Sequence, residues 1–186
     1  MNKKLRWITE TAVMLALLIA LQHLTKPLGQ LVTGSCVNVI LAVAVLVGGL
    51  YCGLTIAVIS PVLAYFLNIA PQVLTVPAIM VGNAVDVVLL YLLADRSGKK
   101  LWKQPIAWIV ASFAKFGVLH LLVCELLCGL MAEQLLAAGT LKAQALEKLT
   151  VTFSWPQLFT ALIGGAVALL IVPLLRKALH KNAASA

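Results

Sequence analysis

The sequence predicts an all-α polytopic membrane protein, a bundle of six transmembrane helices with both termini cytoplasmic, and three observations carry that prediction. The first is composition: the 186 residues are 62% hydrophobic and 11% charged, where soluble domains are roughly 45–50% apolar and 25% charged. The mean hydropathy is +1.05. The second is segmentation, because Gly, Pro and polar clusters divide the chain into six apolar stretches. The third is the distribution of the 14 Lys and Arg residues. With a cytoplasmic amino terminus, Lys3, Lys4, Arg6, Arg96, Lys99, Lys100, Lys103, Arg176, Lys177 and Lys181 fall inside. Only Lys26, Lys142 and Lys148 then fall outside, and Lys115 lies within a span. That asymmetry is the one that orients membrane proteins, so the +8 charge and the pI of about 9.6 are read as topology and not as a nucleic-acid surface.

The chain is expected to form one integral membrane domain over residues 1–186, with approximate spans 8–24, 37–50, 54–67, 73–93, 106–131 and 156–175. The first stretch follows Lys3, Lys4 and Arg6 in the manner of a secretory leader. A small-x-small cleavage triplet is missing, so the stretch is expected to stay as a helix. Ala12, Ala16 and Ala20 recur along it every four residues, a small-residue ridge that lets a second helix approach closely. The second span, about 14 residues or roughly 21 Å long, is short for a crossing, so it is expected to be kinked, extended or buried among its neighbours. Residues 25–36 (TKPLGQLVTGSC), with Pro27, Gly29 and Gly34, are expected to form a long outer loop able to fold over the outer face. Residues 132–154 alternate leucines with Glu133, Lys142, Glu147 and Lys148, which suits an interfacial amphipathic helix or an extension of the fifth span. Trp102 and Trp155 fall near opposite interfaces.

Ionisable residues inside apolar spans cost about 2.5–3.5 kcal/mol each on insertion scales and usually mark a site. Asp86 and Lys115 lie on the fourth and fifth spans at similar depth, about 10–14 Å from the cytoplasmic ends at 1.5 Å per residue. They can meet as an intramembrane ion pair, which is either a structural pin or part of a polar cluster with Asn83, one helical turn from Asp86. Farther out, His120 and Glu125 suit an outward cavity or a packing role. Trp155 and Gln157 suit a planar ligand or an interfacial anchor. His120, Cys124 and Cys128 stretch over roughly 12 Å of helix, too far for one metal ion, so no metal site and no cofactor are expected. The four cysteines lie in or beside apolar stretches and are expected to pack as small hydrophobes. The sequence carries no phosphate-binding GxxxxGK[ST] loop, no HExxH and no arguable catalytic triad. The chain is therefore expected not to be an enzyme, and any ATP hydrolysis belongs to partner subunits.

Taken together, these residues resemble the substrate-binding S components of energy-coupling factor (ECF) vitamin transporters. The likeness spans nearly the whole chain. It rests on six spans in under 200 residues, the Ala12–Ala16–Ala20 ridge, the outer loop after the first span, and the stretches SCVNVILAVAVLVGGLYCG, ISPVLAYFLNIAPQ and PAIMVGNAVD. The resemblance implies a multi-pass protein of the prokaryotic cell membrane. It implies that the alanine ridge docks on a transmembrane coupling subunit, which carries two cytoplasmic ATPase subunits. It also implies that a small organic ligand, a vitamin or related micronutrient, binds in the outer half of the bundle at Asn83, Lys115, His120, Glu125, Trp155 and Gln157, with Asn38. Members that carry nickel or cobalt begin with Met-His; Asn2 stands here instead, which disfavours a metal cargo. Lys115 can meet an acidic group and Glu125 or Asp86 a basic nitrogen, so an amphoteric ligand is expected. A membrane scaffold without a small-molecule ligand and a stand-alone small transporter or channel remain the alternatives.

Overall fold

The computed structural model describes residues 3–69, 72–95 and 102–184. Among these residues all regular structure is helical. Helix α1 covers Lys3–Thr25, and a single 3-10 turn, Lys26–Leu28, leads into α2, Gln30–Val43. Wider π-helical turns, Ala44–Gly48, prolong α2 before α3, Leu50–Phe66, begins. A second 3-10 turn, Val73–Thr75, precedes α4, Val76–Leu93. Helix α5, Lys103–Leu119, runs on as π-helical turns over His120–Leu130; α6, Ala132–Ala137, and α7, Ala143–Thr152, follow, and α8, Trp155–Ala184, ends the described chain. Five stretches are long and apolar enough to cross a bilayer: Trp7–Leu28, Gln30–Gly48, Val73–Leu93, Lys103–Leu130 and the stretch Ala143–Leu179, which includes α7. Helix α3 is apolar but shorter. Of the residues that set the expected orientation, Arg96, Lys99 and Lys100 lie outside the described residues, as do the side chains of Lys3, Lys4, Arg6 and Lys181.

The segment expected as a long outer loop, 25–36, is instead a tight corner. Gly29 turns the chain at φ +88°, a conformation that favours glycine, and α2 starts at the next residue. This lengthens the short second span to Gln30–Gly48, the extension its 14 residues call for. Gly34 and Ser35, which look like loop punctuation, belong to a helix interface. A Cβ on Gly34 would stand 2.8 Å from the Thr160 Cγ2 of α8. At the other end Gly49, at φ +91°, separates the π turns from α3, and Arg176 of α8 donates to the Leu46 carbonyl at 2.7 Å.

Two apolar cores result. The larger gathers Leu18 of α1, Leu41 and Val45 of α2 and its extension, Ile56 of α3, Val87 of α4, Ala111 of α5 and Val172 of α8. The smaller lies around Leu119 and Val123, where α6 and α7 bring Leu135, Leu149 and Phe153 against the end of α5. The residues 132–154 thus form two short helices, one face of which is packed on the bundle. Cys124 Sγ also donates to the Thr150 carbonyl at 3.6 Å.

Helices α2 and α8 approach each other closely, because small residues stand at their contact. A Cβ on Gly164 would lie 2.5 Å from Asn38 Cβ and 2.7 Å from the Ser35 carbonyl oxygen. Next to it, Gly165 leaves the hollow that seats the Trp108 indole, whose Nε1 donates to the Ala161 carbonyl at 3.2 Å. Between apolar helices in lipid, packing of this kind is a main source of association. Gly164→Ala is expected to lower stability by about 1–3 kcal/mol through overpacking. Gly117→Ala, whose Cβ meets nothing within 4 Å, is expected to melt at or above the parent temperature. Thermal melts of the two variants in detergent check the order, and equal melting temperatures would refute the close contact.

Candidate functional site

A cavity of about 640 Å³ opens at one end of the bundle, between the ends of α1, α2 and α3, the adjoining parts of α4, α5 and α8, and α7. Its mouth is marked by exposed residues: Lys26, Gly29 and Gln30 of the first corner, Asn68 after α3, and Lys148 of α7. Its floor is marked by buried ones: Asn38, Ser60, Asn83 and Lys115. Val37, Pro61, Ile79, Leu119 and Phe153 supply apolar wall. The mouth is pinned by Lys26 Nζ, which donates to the Asn68 carbonyl at 2.6 Å. Asn68 itself holds φ +55°, a left-handed conformation in which asparagine is among the more tolerant residues.

The floor rests on a chain of hydrogen bonds through Asn38. Lys115 is only 3% exposed, and its ammonium donates to Asn38 Oδ1 at 2.5 Å. The Asn38 amide donates in turn to the Gly34 carbonyl at 2.9 Å and to Thr160 Oγ1 at 3.4 Å. Thr160 Oγ1 donates to the Gln157 carbonyl at 2.9 Å, and Gln157 Nε2 donates to the Thr152 carbonyl at 3.3 Å. One buried cation is thereby tied to α2, α8 and the end of α7. Asp86, also buried, lies within electrostatic reach of Lys115 but does not line the cavity. Two polar atoms at the cavity are buried with no hydrogen-bond partner, Asn83 Nδ2 and Gln22 Oε1.

The candidate residues divide into two groups. Asn38, Asn83, Lys115 and Gln157 line the cavity together, although they come from four helices. His120, Glu125 and Trp155 are not among its lining residues. From His120 onward the helix widens, so residues five apart, not four, come into line. His120 Nε2 and Glu125 Oε1 accordingly approach to 3.4 Å. Trp155 is exposed and stacks on Phe116 with ring centroids 5.6 Å apart, and Phe116 in turn lies 5.7 Å from the His120 ring. Gln22, Lys26, Ser60 and Lys148 are lining residues that the sequence does not single out. Ser60 sits in an apolar helix interior and offers a weak signal. The other three stand in stretches whose positions over the cavity depend on how the corner and α7 fold.

Away from the cavity, α1 is the least buried of the long apolar stretches. Thr11 and Leu18 face the bundle, whereas Ala12, Ala16 and Ala20 are exposed together with Ile8, Val13 and Leu17. The ridge is therefore an outward face of the described bundle.

Removing the floor's acceptor tests the network. Asn38→Leu would leave the Lys115 ammonium without its hydrogen-bond partner, and a hydrogen bond to a charged group contributes about 1.5–3 kcal/mol. Pairing it with Lys115→Met is expected to recover a large part of that loss. A double-mutant cycle from denaturation midpoints measures the coupling, and strictly additive losses would contradict it.

No curated protein and no solved structure is significantly similar to the chain. A family model described as ECF transporter, substrate-specific component, matches residues 6–176. Nearly the whole chain is covered, from within α1 to within α8, and with it every helix that builds the cavity. The chain belongs to the family of ECF transporter substrate-specific components.

Proposed function

We propose that this protein is the substrate-specificity component of an ECF-type transporter of the prokaryotic cell membrane. It binds a vitamin or related small organic micronutrient from outside and delivers it inward when coupled to a transmembrane subunit and two cytoplasmic ATPases. The observation that carries this reading is the cavity of about 640 Å³ within a chain whose family match spans residues 6–176. Its volume falls in the range of small-molecule sites, about 300–1,000 Å³. Buried polar groups stand at the floor and an apolar wall surrounds them, a combination that orients a ligand while desolvating its carbon skeleton.

The ligand contacts in this reading are Asn38, Asn83, Lys115 and Gln157. Membrane helices associate through small residues that let backbones approach, and the exposed ridge Ala12–Ala16–Ala20 has that character, so it is assigned to the coupling subunit. The protein itself is a carrier and not a catalyst; ATP hydrolysis belongs to the partners. Binding and docking then occupy different faces, one inside the bundle and one on the outside of α1.

That separation is testable. Ala16→Leu is expected to abolish co-purification with the coupling subunit and ATPases and to reduce uptake to background. Ligand affinity of the isolated protein should stay within about twofold, because surface changes away from a site usually cost no more than about 0.5 kcal/mol. Intact co-purification and uptake in this variant would refute the docking assignment. Loss of the complex with no small molecule bound by the parent protein would favour a scaffold subunit.

A further inference from the structure

We infer that the ligand is a small organic acid seated with a single carboxylate at the floor of the cavity, against Lys115 and Asn83; the inference rests on the carrier reading above. The charged residues that line the cavity are Lys26, Lys115 and Lys148, and among the described lining residues none is acidic. Glu125, one candidate partner for a basic nitrogen, is exposed and paired with His120. Asp86, the other, offers the ligand no carboxylate because it is not part of the lining. Even with Asp86 counted against Lys115, the two lysines at the mouth leave the surroundings positive. A cationic or amphoteric ligand would add like charge to a poorly solvated site, whereas an anion relieves it.

The floor also indicates which anion. An ammonium has three donors, and the Lys115–Asn38 bond uses one of them. Lining the same cavity, Asn83 is 98% shielded as a residue and its Nδ2 has no partner. A buried donor left unsatisfied costs about 1–3 kcal/mol, so this atom gains from a ligand acceptor. One ammonium and one amide donor match the two oxygens of a carboxylate. A phosphate ester carries more charge and is commonly gripped by arginine forks, and among the described lining residues none is an arginine. On α1 Gln22 Oε1 presents the opposite need, an acceptor without a donor, which a hydroxyl or amide N–H elsewhere on the ligand would fill. Lys26 and Lys148, exposed at the mouth, suit the electrostatic capture of an anion from outside.

Calorimetry and thermal melts of the detergent-purified full-length protein test this with a fixed panel. Nicotinate, biotin and pantothenate serve as monocarboxylates, each beside its methyl ester; pyridoxal phosphate is the phosphate ester, thiamine the cation and riboflavin the uncharged member. The expected result is that at least one carboxylate binds and that its ester binds at least about tenfold more weakly, the loss of one charged hydrogen bond. Lys115→Gln should weaken the acid by a similar factor and leave the ester unchanged. The ester comparison uses the parent protein and so does not depend on the variant folding. An ester that binds as well as its acid overturns the inference, and so does a panel in which only pyridoxal phosphate, thiamine or riboflavin binds. In those cases the carrier reading stands. If no member binds, both fall.

Discussion

A buried lysine in a membrane bundle has to be held by something, and much of this structure is arranged around the hydrogen bond that holds Lys115. In a medium without water each unsatisfied polar group costs several kcal/mol, so the ammonium sets demands on its neighbours. Asn38 meets them with its Oδ1, and α2 lies against α8 closely enough for its amide nitrogen to reach Thr160 as well. That approach requires Gly34 and Gly164, positions where a methyl group would collide with the facing helix. The charge, the small residues and the helix spacing are thus one constraint. The cavity floor is its by-product, a rigid polar patch placed deep in an apolar fold.

The same size class of residue serves two ends. Facing inward, Gly34, Gly164 and Gly165 bring helices together and seat Trp108. Facing outward, Ala12, Ala16 and Ala20 leave a smooth, shallow strip on the helix that the bundle buries least. Both sets are small residues; what separates them is that the first faces other helices of this chain and the second does not. Helices α6 and α7 add a third element. At 6 and 10 residues they are too short to cross a bilayer by themselves, and they bury Leu135 and Leu149 on the end of α5, which brings Lys148 and Thr152 over the cavity.

Much of the architecture is legible in the sequence because lipid allows few solutions: apolar stretches become helices, and their punctuation marks where they end. Gly34 and Ser35 show where this fails, since the same residues that break helices in loops are the ones that let helices touch. Asn83 and Lys115 stand out because polarity inside an apolar run is costly, whatever the packing; Gln157 stands out by its place beside Trp155 at the start of the last span, and Asn38 only through the family resemblance. Lys26 and Lys148 do not, because a lysine in an outer loop is ordinary until the corner at Gly29 and the placement of α7 bring it to the mouth. His120 and Glu125 share a helix with Lys115, but their direction depends on the π-helical turns, which no local residue pattern announces.

The most direct test of the account is an experimental structure of the protein purified from its native membranes with its ligand retained. Ligand density is expected under α7, with a polar group within hydrogen-bond distance of Lys115 Nζ and Asn83 Nδ2. Density instead against the exposed face of Phe116, His120 and Trp155, with the cavity holding only water, would contradict it.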